Sequence, residues 1–223
     1  MSPVVLEAPP LVRRANGRGV PPRPPTGGGD DDGREPAPRR PRLDNVRLAM
    51  MFFLGAETMF FAGLVSAFLV LRLAAPLWPP PLQPRLPVAA TGLNTLVLLT
   101  SSVAMIAAMR ARRGRNRAGL VRRLGLTALL GALFLAVQGY EWAQLLHYGL
   151  TLSSGAYGAT FYTLIGIHAA HVLGALAWVG VTLGLAARGR FLDGPAGPLR
   201  ACAIYWHFVV ALWPVLYVAV YLA

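Results

Sequence analysis

The chain has 223 residues, 55% of them hydrophobic and only 13% charged. A soluble domain carries about a quarter charged residues, so this composition excludes an ordinary water-soluble fold and points to an integral membrane protein. The net charge of +12 does not indicate nucleic-acid binding, because the basic residues, all arginine, fall in an N-terminal tail and between apolar runs, where membrane topology accounts for them.

Residues 1–43 are expected to be a disordered tail. Ten prolines and six glycines lie within the first 42 residues, and the apolar side chains there are too scattered to form a core. The tail lacks the apolar centre of a secretory signal. Its Asp30-Asp31-Asp32 run is a solvated charge cluster.

From residue 44 to 223 the pattern predicts an all-α membrane domain with five transmembrane helices, at 47–73, 88–109, 124–146, 157–187 and 201–222. Glu57 lies in the first helix, ~15 Å from its start at 1.5 Å per residue, near the middle of a ~30 Å hydrocarbon core. Six prolines between 74 and 87 rule out continuous helix there, and Trp78 suits the membrane interface. The second helix carries Asn94, Thr95, Thr100, Ser101 and Ser102 without a charge. Seven arginines and no acid follow between 110 and 123. The third helix ends near Gln138-Gly139-Tyr140-Glu141-Trp142 and His147, and the fourth carries His168 and His171. Pro214 is expected to bend the fifth. The single cysteine, Cys202, reads as a small buried apolar residue.

Five crossings place the termini on opposite sides. Ten arginines follow the second and fourth helices, while Arg72 and Arg85 flank the other side. The bias predicts a cytoplasmic N-terminus and an outside C-terminus. Arg110, Arg112, Arg113 and Arg188 would then meet phospholipid headgroups.

Ionisable groups at membrane depth are costly and mark sites. Counted from Arg188, His171 comes nearer than His168 to the level of Glu57, so a Glu57–His171 contact is expected. The alternative is a protonated Glu57 bonded to a backbone carbonyl or a lipid. His168 and His171 share a helix face, but two imidazoles and one carboxyl are too few for a metal or haem site. They are expected to hydrogen-bond between helices. His207 is expected about five residues into its helix, at another level. Glu141 is expected to be exposed or locally hydrogen-bonded. No nucleophile elbow, phosphate loop or catalytic carboxylate pair is present, so no catalytic residue is assigned.

Five segments occur in order: Gly55-Ala56-Glu57 with Phe60-Phe61-Ala62-Gly63; Leu93-Asn94-Thr95 with Leu98-Leu99-Thr100-Ser101-Ser102; Gln138 to Trp142; Thr163 to Gly174 with both histidines; and Tyr205-Trp206-His207-Phe208-Val209 with Trp213. Over residues 44–222 this set resembles subunit III of the haem–copper oxidases, most closely the bacterial cytochrome c oxidase form with five helices. The resemblance implies a subunit without a redox centre in a respiratory terminal oxidase of a bacterial plasma membrane, the complex oxidising cytochrome c, reducing oxygen and pumping protons. Haem and copper would reside in partner subunits. The chain would bind subunit I directly, meet subunit II and cytochrome c through the complex, hold phospholipid between its helices and support proton uptake.

By resemblance, Glu57 corresponds to the family's carbodiimide-reactive membrane glutamate and His171 to the histidine near it. Tyr140, Glu141, Trp142 and Trp206 are expected at interfaces or partner contacts. The chain departs from the family at Val210, where Asp is usual, and at Pro214. The open alternatives are a quinol oxidase subunit III, a nitric oxide reductase-associated homologue, and a small proton-coupled transporter. The last would show paired halves or broken helices.

Overall fold

The computed structural model describes residues 45–78, 80, 86–192, 194 and 196–222. The expected disordered tail, Arg85 and Asp193 lie outside these residues. Five α-helices follow in order: α1 (Asn45–Ala74), α2 (Val88–Arg113), α3 (Arg117–His147), α4 (Gly155–Ala187) and α5 (Gly197–Tyr217), the last continuing as a π-helical turn, Val218–Leu222. Each is long and apolar enough to cross a membrane.

The helix ends differ from the sequence expectation where local capping outweighs charge. The Asn116 side chain accepts the Gly119 N–H at 2.7 Å, so α3 starts at Arg117 rather than 124. The arginine-rich segment is therefore two helix ends and a short turn. Arg110, Arg112 and Arg113 occupy the last turn of α2, where cations suit the free carbonyls. Pro198 lies in the first turn of α5, a position with no helical N–H to lose, and α5 begins at Gly197 rather than 201. Gly189 ends α4 with φ +79°, a conformation that favours glycine. In α5 the α-helix runs on through Pro214 and widens into the π turn four residues later.

Interhelical bonds set the register. On α2 and α5, Ser102 meets His207, Ser101 meets Trp206, Thr95 meets Trp213, and the Val88 carbonyl meets Tyr217. Numbers rise on one helix as they fall on the other, so the two are antiparallel. Asn94 on the Phe134 carbonyl and Thr91 on Glu141 make α2 and α3 antiparallel as well. Phe53 beside Tyr205 and Arg72 on the Ala219 carbonyl make α1 and α5 parallel.

Helices α2, α3, α4 and α5 pack around a core that includes the fully buried Trp206, Trp213, Phe134 and Phe161. Helix α1 lies outside, against α4 and α5. Only 11% of its apolar window is buried, against 44% for α5. It contributes one narrow seam, Leu54, Glu57, Phe61, Leu64 and Phe68, spaced by three and four residues. Glu57 thus occupies a seam position and is held against α4.

Gly158 permits the close return of the segment before α4. An added Cβ would stand 2.2 Å from the Thr151 carbonyl oxygen. We expect Gly158→Ala to lower stability by about 1–2 kcal/mol, since the oxygen is backbone and the adjoining Leu150 is fully buried, so only part of the overlap can relax. Faster proteolysis between 148 and 155 would report it.

Candidate functional site

The polar side chains inside the helices form three groups. In the first, Glu57 Oε2 lies 3.1 Å from His171 Nε2, with the two side chains 18% and 22% exposed. His171 Nδ1 is 2.7 Å from the Ile167 carbonyl, one turn back. A carbonyl only accepts, so Nδ1 carries a hydrogen and Nε2 is the atom turned to the carboxyl. The approach is at ion-pair distance but off the line of a good hydrogen bond. Phe61 covers it edge-on at 5.1 Å. The pair joins the facing margins of α1 and α4. Farther along those margins, Leu64, Ala67 and Phe68 of α1 and Ala159, Thr160 and Thr163 of α4 line a groove of about 160 Å³.

His168, one turn from His171, differs from the expectation of an interhelical hydrogen bond. It is fully buried, and neither ring nitrogen has a hydrogen-bond partner. The ring instead stacks on Trp213, 5.1 Å and 24° apart, with Phe61 edge-on at 6.4 Å. The helix faces opposite it present aromatic rings rather than donors, so stacking replaces hydrogen bonding.

The second group is the α2–α5 seam. His207 Nδ1 sits 2.5 Å from Ser102 Oγ. Trp206 Nε1 donates to Ser101 Oγ at 3.2 Å and Trp213 Nε1 to Thr95 Oγ1 at 2.8 Å. Two expectations are corrected here. Trp206 is 0% exposed and belongs to the core rather than an interface. His207 is deeper than five residues, because α5 starts earlier; Tyr205 beside Phe53 puts it within about a turn of the Glu57 level. Its ring is committed to α2 and does not join Glu57. Val210, where the sequence departs from the pattern it resembles, is buried among apolar side chains.

The third group contains Thr91, Gln138, Glu141 and Tyr221. Thr91 Oγ1 lies 2.8 Å and Gln138 Nε2 3.1 Å from Glu141 Oε2, and Gln138 Nε2 lies 3.3 Å from the Tyr221 hydroxyl. Glu141 is 6% exposed, which corrects the expectation of an exposed residue, although the Gln138 bond is local. Its neighbours part company: Tyr140 is exposed, and Trp142 is half-buried against Tyr162. Sequence reasoning missed Thr91 and Tyr221. The available signal was the spacing of Thr91, Thr95, Leu98, Ser101 and Met105, which puts polar and apolar side chains on one buried face of α2.

At the arginine-rich end, Arg110, Arg113 and Arg188 are exposed. Arg112 turns inward and donates to the Gly194 carbonyl at 3.3 Å, so its guanidinium is partly committed within the chain. Arg123 donates to the Ala107 carbonyl at 2.8 Å, and Arg117 to the Ala187 carbonyl. Among the described residues, no three His, Cys, Asp or Glu side chains come together in a metal-binding group.

The family described as Cytochrome c oxidase subunit III matches residues 41–223. Curated relatives carry the name cytochrome c oxidase subunit 3. The one from Synechocystis sp. is 36% identical over 78% of this chain and 73% of its own length. That from Bacillus subtilis is 37% identical over 80% and 86%, and that from Corynebacterium diphtheriae 37% over 84% and 92%. With all five helices and both histidine-bearing segments inside the match, the chain belongs to the cytochrome c oxidase subunit III family.

Proposed function

We propose that this chain is the non-catalytic subunit III of a terminal oxidase in a bacterial plasma membrane. It packs beside a catalytic subunit I, whose complex, with subunit II, carries the haem and copper and takes electrons from cytochrome c. The N-terminus faces the cytoplasm and the C-terminus the outside. Its own work is to hold phospholipid along the α1–α4 margin, stabilise subunit I and support proton uptake. The observation that carries this reading is the Glu57–His171 pair, about a fifth exposed, with an apolar groove farther along the same two helices. A polar pair at membrane depth that is neither sealed in the core nor joined to a metal group suits contact with a lipid or a neighbouring subunit. Arg110, Arg113 and Arg188 suit anionic headgroups at the cytoplasmic leaflet.

An affinity-tagged chain purified from its native membrane tests the proposal. A haem-containing subunit is expected to co-purify, and Glu57→Ala is expected to reduce retained phospholipid severalfold with an unchanged haem spectrum. Purification free of haem overturns the assignment. Loss of haem from an assembled Glu57→Ala complex overturns the non-catalytic role of the pair.

A further inference from the structure

Glu141 is unused by the proposed function, yet it is the more deeply buried of the two carboxyls in the membrane helices. Thr91 of α2, Gln138 of α3 and Tyr221 of the π turn surround it. Among the described residues, no arginine or histidine pairs with Glu141, and its Oε1 has no hydrogen-bond partner. A carboxylate here would hold an uncompensated charge in a region with little water, with one oxygen unpartnered.

Donor counting points to the neutral form. Thr91 has one hydroxyl hydrogen and two nearby acceptors, the Pro87 carbonyl at 3.0 Å and Glu141 Oε2 at 2.8 Å. If Oε2 carries a hydrogen, it donates to Thr91 Oγ1, Thr91 donates to Pro87, and Gln138 still donates to Oε2. Every close contact is then used. The unpartnered Oε1 becomes a neutral carbonyl oxygen, far cheaper to bury than a charged one.

We infer that Glu141 is a proton-binding site, a carboxylic acid at neutral pH, whose proton bridges α3 to α2 at Thr91. The inference is independent of the oxidase assignment.

Infrared spectroscopy of the full chain in lipid tests it. The other seven of the nine acidic residues, Glu57 apart, lie outside the ranges of the five helices. At pH 7 we expect a protonated-carboxyl stretch that shifts in deuterium oxide, survives Glu57→Gln and disappears in Glu141→Gln. A Glu57→Gln chain with no such stretch at pH 7 overturns the inference, even if Glu141→Gln fails to fold. So does a stretch that Glu141→Gln leaves unchanged. Rescue adds a second readout: Glu141→Gln, whose amide can still donate to Thr91, should keep a higher melting temperature than Glu141→Ala.

Discussion

Replacing Trp213 by Ala is expected to destabilise the helix bundle by about 2–3 kcal/mol, one of the two largest single-site losses we predict here. In water-soluble cores a buried Trp→Ala change costs roughly 3–5 kcal/mol, part of it transfer from water and part the cavity. Helices that stay in lipid forgo most of the transfer part, so the packing part remains. Trp213 is 0% exposed and joins four elements: it stacks on His168 of α4, meets Phe134 of α3 at 5.0 Å, donates to Thr95 of α2, and lies 6.4 Å from Tyr221 of the π turn. Removing it leaves His168 with neither stacking nor hydrogen bonds. Trp213→Phe separates the contributions. It keeps an aromatic face and loses the hydrogen bond, for about 1 kcal/mol. Detergent-denaturation midpoints of the purified protein would rank wild type above Trp213→Phe above Trp213→Ala. Equal midpoints for the two variants would show that the hydrogen bond, not the stack, holds this junction.

The second large effect is expected at Gly131. A Cβ there would approach Trp206 Cη2 to 2.5 Å and Cζ2 to 3.1 Å, well inside normal carbon contact. Trp206 has little room to yield, since it is fully buried and donates to Ser101. Gly131→Ala gains helix propensity but forces this overlap, for a net loss of about 1–2 kcal/mol. Gly131→Leu should cost about 3 kcal/mol or prevent assembly. The mechanism predicts a partner-specific rescue. Trp206→Phe removes the atoms in conflict, so Gly131→Ala should be milder in that background, with a coupling of about 1 kcal/mol in a double-mutant cycle. Additive effects would place the strain elsewhere.

Much of the architecture was legible in the chain because a bilayer leaves few choices. A backbone in hydrocarbon must satisfy its own hydrogen bonds, so each apolar run of sufficient length reads as a helix. The Glu57–His171 approach was legible too, by counting residues from helix ends, since rise per residue is constant. Depth alone says nothing about azimuth, however. His168 and His171 share a helix face in sequence, yet one ring stacks inside the core and the other reaches the α1 margin. The difference lies in what α5 and α1 present opposite each ring.

Helix starts were less legible, and the depth of His207 was misplaced with them. Charge suggested loops where Asn116 and Pro198 start helices, and the shorter α5 placed His207 too near its end. For Glu141 the local hydrogen bond held, with Gln138, while exposure did not, because a Tyr-Glu-Trp run near a helix end resembles an interface. Only the packing of α2 and the π turn against α3 buries it.

The sequence by itself determined that the chain has five helices long and apolar enough to cross a membrane, which family it resembles, and how far along its helix each polar group lies, because hydrophobicity and rise per residue act along one dimension. Only the tertiary structure decided which way each polar group faces. It sealed His168 and Glu141 and left Glu57 and His171 partly open, because burial depends on the rotation of neighbouring helices, and that rotation is set by side chains far apart in the chain.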